Sequence, residues 1–332
     1  MAAAKDVGSR KAAADVIQVG ISRCLLGDEV RYDGQHKRSR FAVDVLGQHL
    51  SFVAVCPEVE LGMPIPREPV RLERAGAGSE ASPLMVAPAS GTDWTSKMNR
   101  FVGRRVRDLA KLDLSGFILQ QKSPSCGMER VKVYGKNGMP RPVGSGLFAA
   151  ELKRQLPLLP LEEEGRLNDP NLRENFLVRV FAYARLQKLF RQRWNRKQMI
   201  DFHADHKYLL MAHSPHKLKQ LGQLVGEIKQ HSAEDFRRRY AEGFMQTLAL
   251  HATVRKNVNV MQHMMGHLKK VLAAPAKQSV LQAIDDYHRG LVPLIAPLTL
   301  LRHCFTLHPD EYLLRQVYLN PHPKECMLRN HC

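Results

Sequence analysis

Three short apolar runs, each leading to a cysteine, constrain the fold of this chain more than any other feature. The runs are Val16 to Ser22 before Cys24, Ser51 to Pro57 around Cys56, and Gly116 to Gln120 before Cys126. Their length and β-branched residues predict buried strands that deliver side chains to loops. Such strands need helices or further strands to cover them.

A helical pattern separates the second run from the third. Thr92 to Leu112 has apolar residues at helical spacing, and Thr92 or Asp93 is suited to cap the amino terminus of a helix. Strands that alternate with helices predict a parallel, Rossmann-like α/β sheet. Because such sheets bind ligands beyond the carboxyl ends of their strands, we expect the three cysteines to converge there.

The second half of the chain has an almost continuous helical pattern. Apolar residues recur three and four positions apart in Asn171 to Phe190, Lys197 to Ala212, Ala233 to His251 and Asn257 to Ala273. We therefore expect an α/β domain over residues 16–160, a linker over residues 161–170 and an all-α domain over residues 171–332. Leu156 to Pro170 also suits a final strand followed by a linker. Residues 1–15 are expected to be disordered, and the Gly/Ser/Ala loop Ala75 to Ser90 to be mobile.

The charge of the chain favours an anionic partner. Its 332 residues have a formal net charge of +18, which suits contact with nucleic acid. No apolar stretch approaches the roughly 18 residues of a membrane helix, and the amino terminus lacks the apolar centre of a secretory signal. We therefore expect a cytoplasmic protein whose six cysteines are thiols, catalytic groups or metal ligands instead of disulfides.

Each of the three cysteines lies in a turn-prone segment. The segments are Cys24-Leu25-Leu26-Gly27 with Val30-Arg31-Tyr32-Asp33-Gly34, then Cys56-Pro57-Glu58, then Lys122-Ser123-Pro124-Ser125-Cys126-Gly127. Three thiolates also suit zinc with a fourth ligand, but the sequence has no Cys-x-x-Cys pair, which favours a cluster. Without a catalytic role, Glu58 is a loop carboxylate or a partner for Arg67, and Ser123 forms the turn before Pro124.

These three segments resemble the TudS-like thiouracil desulfurase family over roughly residues 16–160. Further segments resemble a YbgA-like domain: Arg191-Gln192-Arg193-Trp194, Phe202 to Pro215 with His203, His206 and His213, and Pro321-His322-Pro323. Together, the two halves resemble fused RudS-type tRNA thiouridine desulfidases.

The resemblance implies a 4Fe-4S cluster held by Cys24, Cys56 and Cys126, with one iron open to the soft sulfur of a thiolated base. It implies Glu58 as the catalytic acid and base, and Ser123 as a residue that assists at the substrate. The implied reaction exchanges sulfur for oxygen by hydrolysis and releases hydrosulfide from 4-thiouridine in tRNA. Free thiouracil is the alternative substrate.

The helical half has residues suited to RNA contact, namely Arg191, Arg193, Trp194, Arg196, Lys197, Lys207 and Tyr208. The aromatic members are equally suited to helix packing, and His203 and His206 suit structure or RNA contact better than a metal. Cys304, Cys326 and Cys332 are assigned no chemistry. Two other classes of function stay open: an enzyme with Cys126 as a thiolate nucleophile, and a non-enzymatic RNA-binding protein with a structural or oxidant-sensing cluster.

Overall fold

The computed structural model describes residues 16–74, 83–135, 137–326 and 328–330. Residues 1–15, predicted to be disordered, lie outside these ranges, as do residues 75–82 of the predicted mobile loop and Cys332. The strands are β1 Gln18–Ser22, β2 Ser51–Val55, β3 Arg71–Glu73, β4 Leu84–Ala87, β5 Thr92–Asp93, β6 Phe117–Leu119, β7 Val131–Tyr134, β8 Pro140–Gly144 and β9 Leu161–Glu163.

Helices follow the strands in chain order and dominate the second half. They are α1 Pro57–Glu60, α2 Thr95–Leu109, α3 Leu147–Gln155, α4 Pro170–Arg191, α5 Arg196–Asp205, α6 Lys207–His213, α7 Pro215–Gly226, α8 Ala233–Leu248, α9 Val254–Leu268, α10 Ala274–His288, α11 Ile295–Leu307 and α12 Glu311–Leu314. Among the described residues, no helix combines the length and apolarity that a membrane crossing requires.

A parallel four-stranded sheet lies in the first half, as the sequence predicts. Its order is β2-β1-β6-β9, with Gln18 opposite Ser51 and Phe117 opposite Leu161. β1 is buried along almost its whole length, which explains its continuous apolar run. Gly20 permits the close approach of β6, because a Cβ at this position would overlap the ring of Phe117.

A second sheet, which the sequence did not predict, has the order β5-β4-β3-β7-β8 and mixes parallel with antiparallel pairs. Strand β4 lies inside Ala75 to Ser90, so the expectation of a mobile loop is wrong for these residues. β4 pairs with β3 and buries Met85 and Ala87. The alternation of buried residues covers only four positions, and glycines and serines surround it in the sequence. The segment therefore has no clear strand pattern.

The helix predicted over Thr92 to Leu112 is α2, which is shorter at both ends. Its buried residues Met98, Val102, Val106 and Leu109 pack in one core with Phe117 of the parallel sheet. Asp93 Oδ1 accepts a hydrogen bond of 2.8 Å from the Thr95 backbone N–H, so Asp93 satisfies a free amide at the start of the helix.

The described residues beyond β9 form helices and turns, which confirms the predicted all-α second half. The predicted helix Lys197 to Ala212 is interrupted: α5 ends at Asp205 and α6 begins at Lys207. His206 leaves helical geometry with φ −96° and ψ 0°, and its Nδ1 lies 2.7 Å from the carbonyl oxygen of Phe202. The helical periodicity continues across this break, so the sequence pattern does not reveal it.

Helix α4 packs against both halves of the chain. Phe176 and Val180 belong to a core that also contains Ile21 of β1, whereas Ala182 and Leu186 belong to the core of the helical half. Residues 161–163 of the predicted linker form β9, in agreement with a final strand before α4. The domain boundaries themselves stay a prediction.

Candidate active site

Cys24, Cys56 and Cys126 line one cavity of about 340 Å³. Cys24 lies just after β1, Cys56 directly follows β2, and Cys126 is on the loop after β6. These three strands are adjacent and parallel, so their carboxyl ends meet at the same edge of the sheet. The structure therefore brings together the three cysteines that are far apart in the sequence.

Each of the three sulfur atoms has a long polar contact. Cys24 Sγ lies 3.7 Å from Gln120 Oε1, Cys56 Sγ lies 3.9 Å from the Val30 carbonyl oxygen, and Cys126 Sγ lies 3.7 Å from Ser125 Oγ. Burial raises the pKa of all three thiols, and that of Cys24 reaches about 12. Thiols of this kind stay protonated at neutral pH until a bound cation stabilises the thiolates.

These pKa shifts count against Cys126 as a free thiolate nucleophile. Its thiol is buried, and desolvation is the largest cause of its raised pKa. No histidine is among the described residues that line the cavity, so the site has no imidazole to remove the thiol proton.

The three cysteines are soft donors that suit a metal group. Among the described residues, no three His, Cys, Asp or Glu side chains are arranged to hold a single metal ion. Zinc would require each sulfur at about 2.3 Å, which draws its ligands close together. Cysteine thiolates also hold iron–sulfur clusters, so the donor chemistry of the site fits such a group.

Glu58 lies in the wall of the same cavity and is 9% exposed. Its Oε1 accepts a hydrogen bond of 2.8 Å from Ser125 Oγ. Its Oε2 accepts bonds from Arg67 Nε at 3.0 Å and Arg67 Nη2 at 2.5 Å. The salt bridge with Arg67 was the alternative to a catalytic role for Glu58. It lies in the wall of the cavity that contains the cysteines. Arg67 and Ser125 together fix the orientation of the carboxylate.

Ser123 forms the turn that carries Cys126. Its Oγ accepts hydrogen bonds from the backbone N–H groups of Ser125 at 3.3 Å and Cys126 at 3.1 Å. It also lies 3.0 Å from Ser125 Oγ, so it reaches Glu58 through Ser125.

Ser125 is the serine that contacts Glu58, whereas the family resemblance implied Ser123. It is 1% exposed, and the backbone of Gly146 packs directly against it. A Cβ on Gly146 would overlap the Ser125 carbonyl group, while Phe148 N–H donates to that carbonyl oxygen at 2.9 Å. The position of Ser125 directly before Cys126 was the only sequence signal for its role.

Basic residues are prominent among the groups that line the cavity. Besides Arg67, they are Arg23, Arg31, Lys37 and Lys122. None of the seven residues of the helical half predicted to contact RNA is among the lining residues. The basic members of that set, Arg191, Arg193, Arg196, Lys197 and Lys207, are exposed.

The two aromatic members of that set pack against other residues. Trp194 is half-buried, with its ring centroid 5.8 Å from that of Phe190 and 5.7 Å from that of Phe236. Tyr208 is 3% exposed and its hydroxyl lies 3.1 Å from His267 Nε2. The prediction of Tyr208 as a stacking surface for a base is therefore wrong, because its ring belongs to the core.

The region of the chain that forms this cavity matches a known family. Residues 19–164 match the family model described as 2-thiouracil desulfurase. The chain is 32% identical over 136 residues to the uncharacterized protein YbbK of Bacillus subtilis (strain 168), and the match covers 40% of this chain and 88% of YbbK. The chain belongs to the 2-thiouracil desulfurase family. The matched region contains all three cysteines, Glu58 and Ser123.

The region after this 2-thiouracil desulfurase segment has its own relatives. Residues 207–323 match DUF1722, a family model of unknown function. The chain is 30% identical over 158 residues to the uncharacterized protein YbgA of Escherichia coli (strain K12), and this match covers 47% of the chain and 94% of YbgA. The predicted resemblance to a desulfurase segment joined to a YbgA-like segment is confirmed.

A solved structure is also similar to the 2-thiouracil desulfurase segment. It is the [4Fe-4S]-dependent thiouracil desulfidase TudS, with 32% sequence identity and a TM-score of 0.37. The match covers 46% of this chain and 93% of TudS.

Proposed function

We propose that this protein removes sulfur from a thiolated uracil base and that Cys24, Cys56 and Cys126 bind a 4Fe-4S cluster for this reaction. The observation that carries the proposal is the shared cavity. Three cysteines and an oriented carboxylate line it, and they lie within the 2-thiouracil desulfurase segment. When bound through three thiolates, such a cluster supplies an open iron that acts as a Lewis acid for soft sulfur.

Glu58 is the group in the cavity that moves a proton. A carboxylate has about four acceptor positions, and Ser125 and Arg67 use three of them, so one remains for a water molecule. Water adds its oxygen to the thiocarbonyl carbon while Glu58 takes a proton from it. The carbon–sulfur bond then breaks, and Glu58 gives this proton to the departing sulfur, which leaves as hydrosulfide. The second proton of the added water passes to solvent as the carbonyl forms. Oxygen replaces sulfur without net oxidation or reduction.

Arg67 and Ser125 are positioning residues in this scheme. Arg67 also donates to the Val30 carbonyl oxygen at 3.1 Å, which ties the salt bridge to the chain between Cys24 and Cys56. The side chains of Arg67 and Glu58 are 6% and 12% exposed, so water competes little with their contact. A fixed carboxylate loses little orientation entropy when it receives the proton.

The same proposal names 4-thiouridine in tRNA as the substrate. A net charge of +18 supports a polyanionic partner. Arg31, Lys37 and Lys122 beside the cavity, together with the exposed basic residues between Arg191 and Lys207, offer contacts for phosphate groups. A base within folded tRNA would have to leave its stack to reach the cavity. The cytoplasmic location stays a prediction.

The test is anaerobic reconstitution of the full chain with iron and sulfide, followed by incubation with bulk tRNA. Mass analysis of the digested tRNA measures 4-thiouridine and uridine, and parallel incubations contain free 4-thiouridine or free 2-thiouracil. We expect 4-thiouridine in tRNA to become uridine only when the protein carries iron. Conversion of the free compounds alone would refute tRNA as the substrate, and no sulfur release in any incubation would refute the desulfidase.

Matched cysteine variants test the ligand set. Cys24→Ala, Cys56→Ala and Cys126→Ala are each expected to lose iron and sulfide after reconstitution. Cys304→Ala is the control, because Cys304 is a buried free thiol in the core of the helical half. Retention of a full iron and sulfide content by any one of the three variants would contradict the proposed ligation.

A further inference from the structure

A second cavity, of about 360 Å³, lies among the helices of the second half. Its walls come from α4, α6, α9 and α10, and from the segments around Thr253, Leu294, Tyr318 and Arg329. A cavity of this size is within the range that small-molecule ligands occupy. No residue lines both this cavity and the one that contains the cysteines, so its ligand is a separate question.

His213 points an unused acceptor toward this space. The residue is 3% exposed, and its Nδ1 lies 2.5 Å from the carbonyl oxygen of Leu250. A carbonyl only accepts, so Nδ1 carries the proton and Nε2 carries the lone pair. Burial lowers the pKa of His213 to about 4, so the ring is neutral at pH 7. Among the described residues, none forms a hydrogen bond with this Nε2.

Charges in the wall are already balanced within the protein. Arg329 Nε donates to Glu174 Oε1 at 2.8 Å, and Arg329 Nη1 donates to the Tyr318 carbonyl oxygen at 2.7 Å. Within the described part of the chain, Glu174 Oε2 accepts no hydrogen bond. A charged ligand would lack a counter-ion in this buried wall, which favours a neutral one.

Tyr287 adds a donor to the same wall. Its hydroxyl oxygen accepts a bond of 3.2 Å from Asn257 Nδ2, and Asn257 Oδ1 accepts from Tyr318 at 3.0 Å. The Tyr287 hydroxyl proton has no acceptor among the described residues. Val178, Leu209 and Leu294 supply an apolar wall. The wall therefore combines acceptors, a donor and apolar surface.

We infer that this cavity binds a nucleobase, presented as a nucleoside or as one residue of an RNA strand. A nucleobase is neutral and planar, and it carries N–H donors beside carbonyl or ring-nitrogen acceptors on one edge. The donors match His213 Nε2 and Glu174 Oε2, the acceptors match the Tyr287 hydroxyl, and the ring faces match the apolar wall. The inference goes beyond the desulfidase, because it requires neither sulfur on the base nor iron in the protein.

The test measures binding of uridine, cytidine, adenosine and guanosine to the full chain by isothermal titration calorimetry, with ribose as the probe without a base. We expect one-to-one binding of at least one nucleoside and none of ribose. No binding of any nucleoside at millimolar concentration would overturn the inference. Equal affinity for ribose would overturn recognition of the base.

Three variants locate the binding site. Ala252→Trp places a large ring at an exposed position of the cavity lining and is expected to weaken binding at least tenfold. Ala276→Trp, on the exposed surface of α10, is the matched control and should leave binding unchanged. His213→Asn keeps a donor for the Leu250 carbonyl and removes Nε2, so about a tenfold loss is expected. Full affinity in both the Ala252 and His213 variants would assign binding elsewhere and refute the inference. Sulfur release from tRNA, measured separately, tests the desulfidase.

Discussion

Replacement of Ser125 by alanine tests whether this residue positions the Glu58 carboxylate, in contrast to Ser123, which forms the turn. Ser125 Oγ donates to Glu58 Oε1 at 2.8 Å in a buried site. A hydrogen bond to a charged group contributes roughly 1.5–3 kcal/mol. If this contact holds the carboxylate in its reactive orientation, each 1.4 kcal/mol or so of lost transition-state stabilisation lowers the rate about tenfold. We therefore expect Ser125→Ala to lower single-turnover sulfur release by roughly 10- to 100-fold with unchanged iron content.

Ser123→Ala is the matched comparison. Its Oγ accepts from two backbone N–H groups, so its loss is expected to reduce the free energy of unfolding by about 0.5–1.5 kcal/mol, with a smaller effect on the rate. Ser125→Thr keeps the hydroxyl and should recover part of the activity. The assay is anaerobic rapid-quench turnover, combined with iron analysis and thermal unfolding. Wild-type turnover in Ser125→Ala, with a large loss in Ser123→Ala at unchanged stability, would refute this division of roles.

Three further predictions follow from the same geometry. Glu58→Gln preserves the shape of the side chain but not its basicity, so single-turnover rates should fall by about 10²- to 10⁴-fold while cluster content is unchanged; a normal rate would exclude Glu58 as the base. Gly146→Ala would force a Cβ into the Ser125 carbonyl group, so a loss of roughly 1–3 kcal/mol in thermal unfolding and reduced iron uptake are expected. Gly226→Ala, at an open position at the end of α7, is the comparison. His206 and His213 are buried with pKa values lowered by desolvation to about 3 and about 4. Below the ordinary value of about 6.5 the unfolded chain binds protons that the folded chain does not, so each histidine should reduce the free energy of unfolding by about 1 kcal/mol as the pH falls from about 6.5 to about 5.5. Urea unfolding at a series of pH values measures this loss, and a flat profile would contradict the buried neutral rings.

The sequence predicted the elements whose periodicity is strong and local. The parallel strands of the first sheet and helices such as α2 and α4 follow from their apolar patterns. The second sheet did not follow, because β3 is three residues long and β8 begins with proline and is mostly exposed. Short strands at an exposed edge carry little hydrophobic signal, and their pairing depends on residues far away in the chain.

The site was predictable for the cysteines and less so for the groups that orient Glu58. Each cysteine follows a strand, and adjacent parallel strands bring their ends together. The contact between Ser125 and Glu58 joins residues 67 positions apart, one on the loop after β6 and the other in α1, and no local pattern encodes such a contact. The prediction for Tyr208 was wrong for a related reason. A tyrosine close to basic residues suits an RNA surface, but packing of α6 places its ring inside the core.

The position of α4 affects any attempt to study the two halves separately. Val180 of this helix lies directly over Gly116, where an added Cβ would be 2.7 Å from its methyl group. Cys326 and Leu328, near the carboxyl end, return to the same core as β1. Proteolysis or truncation before Pro170 would therefore leave apolar surface of the first half open to water and promote aggregation. A shortened chain should extend through Arg191, and its folding should be established before any loss of activity is ascribed to missing RNA contacts.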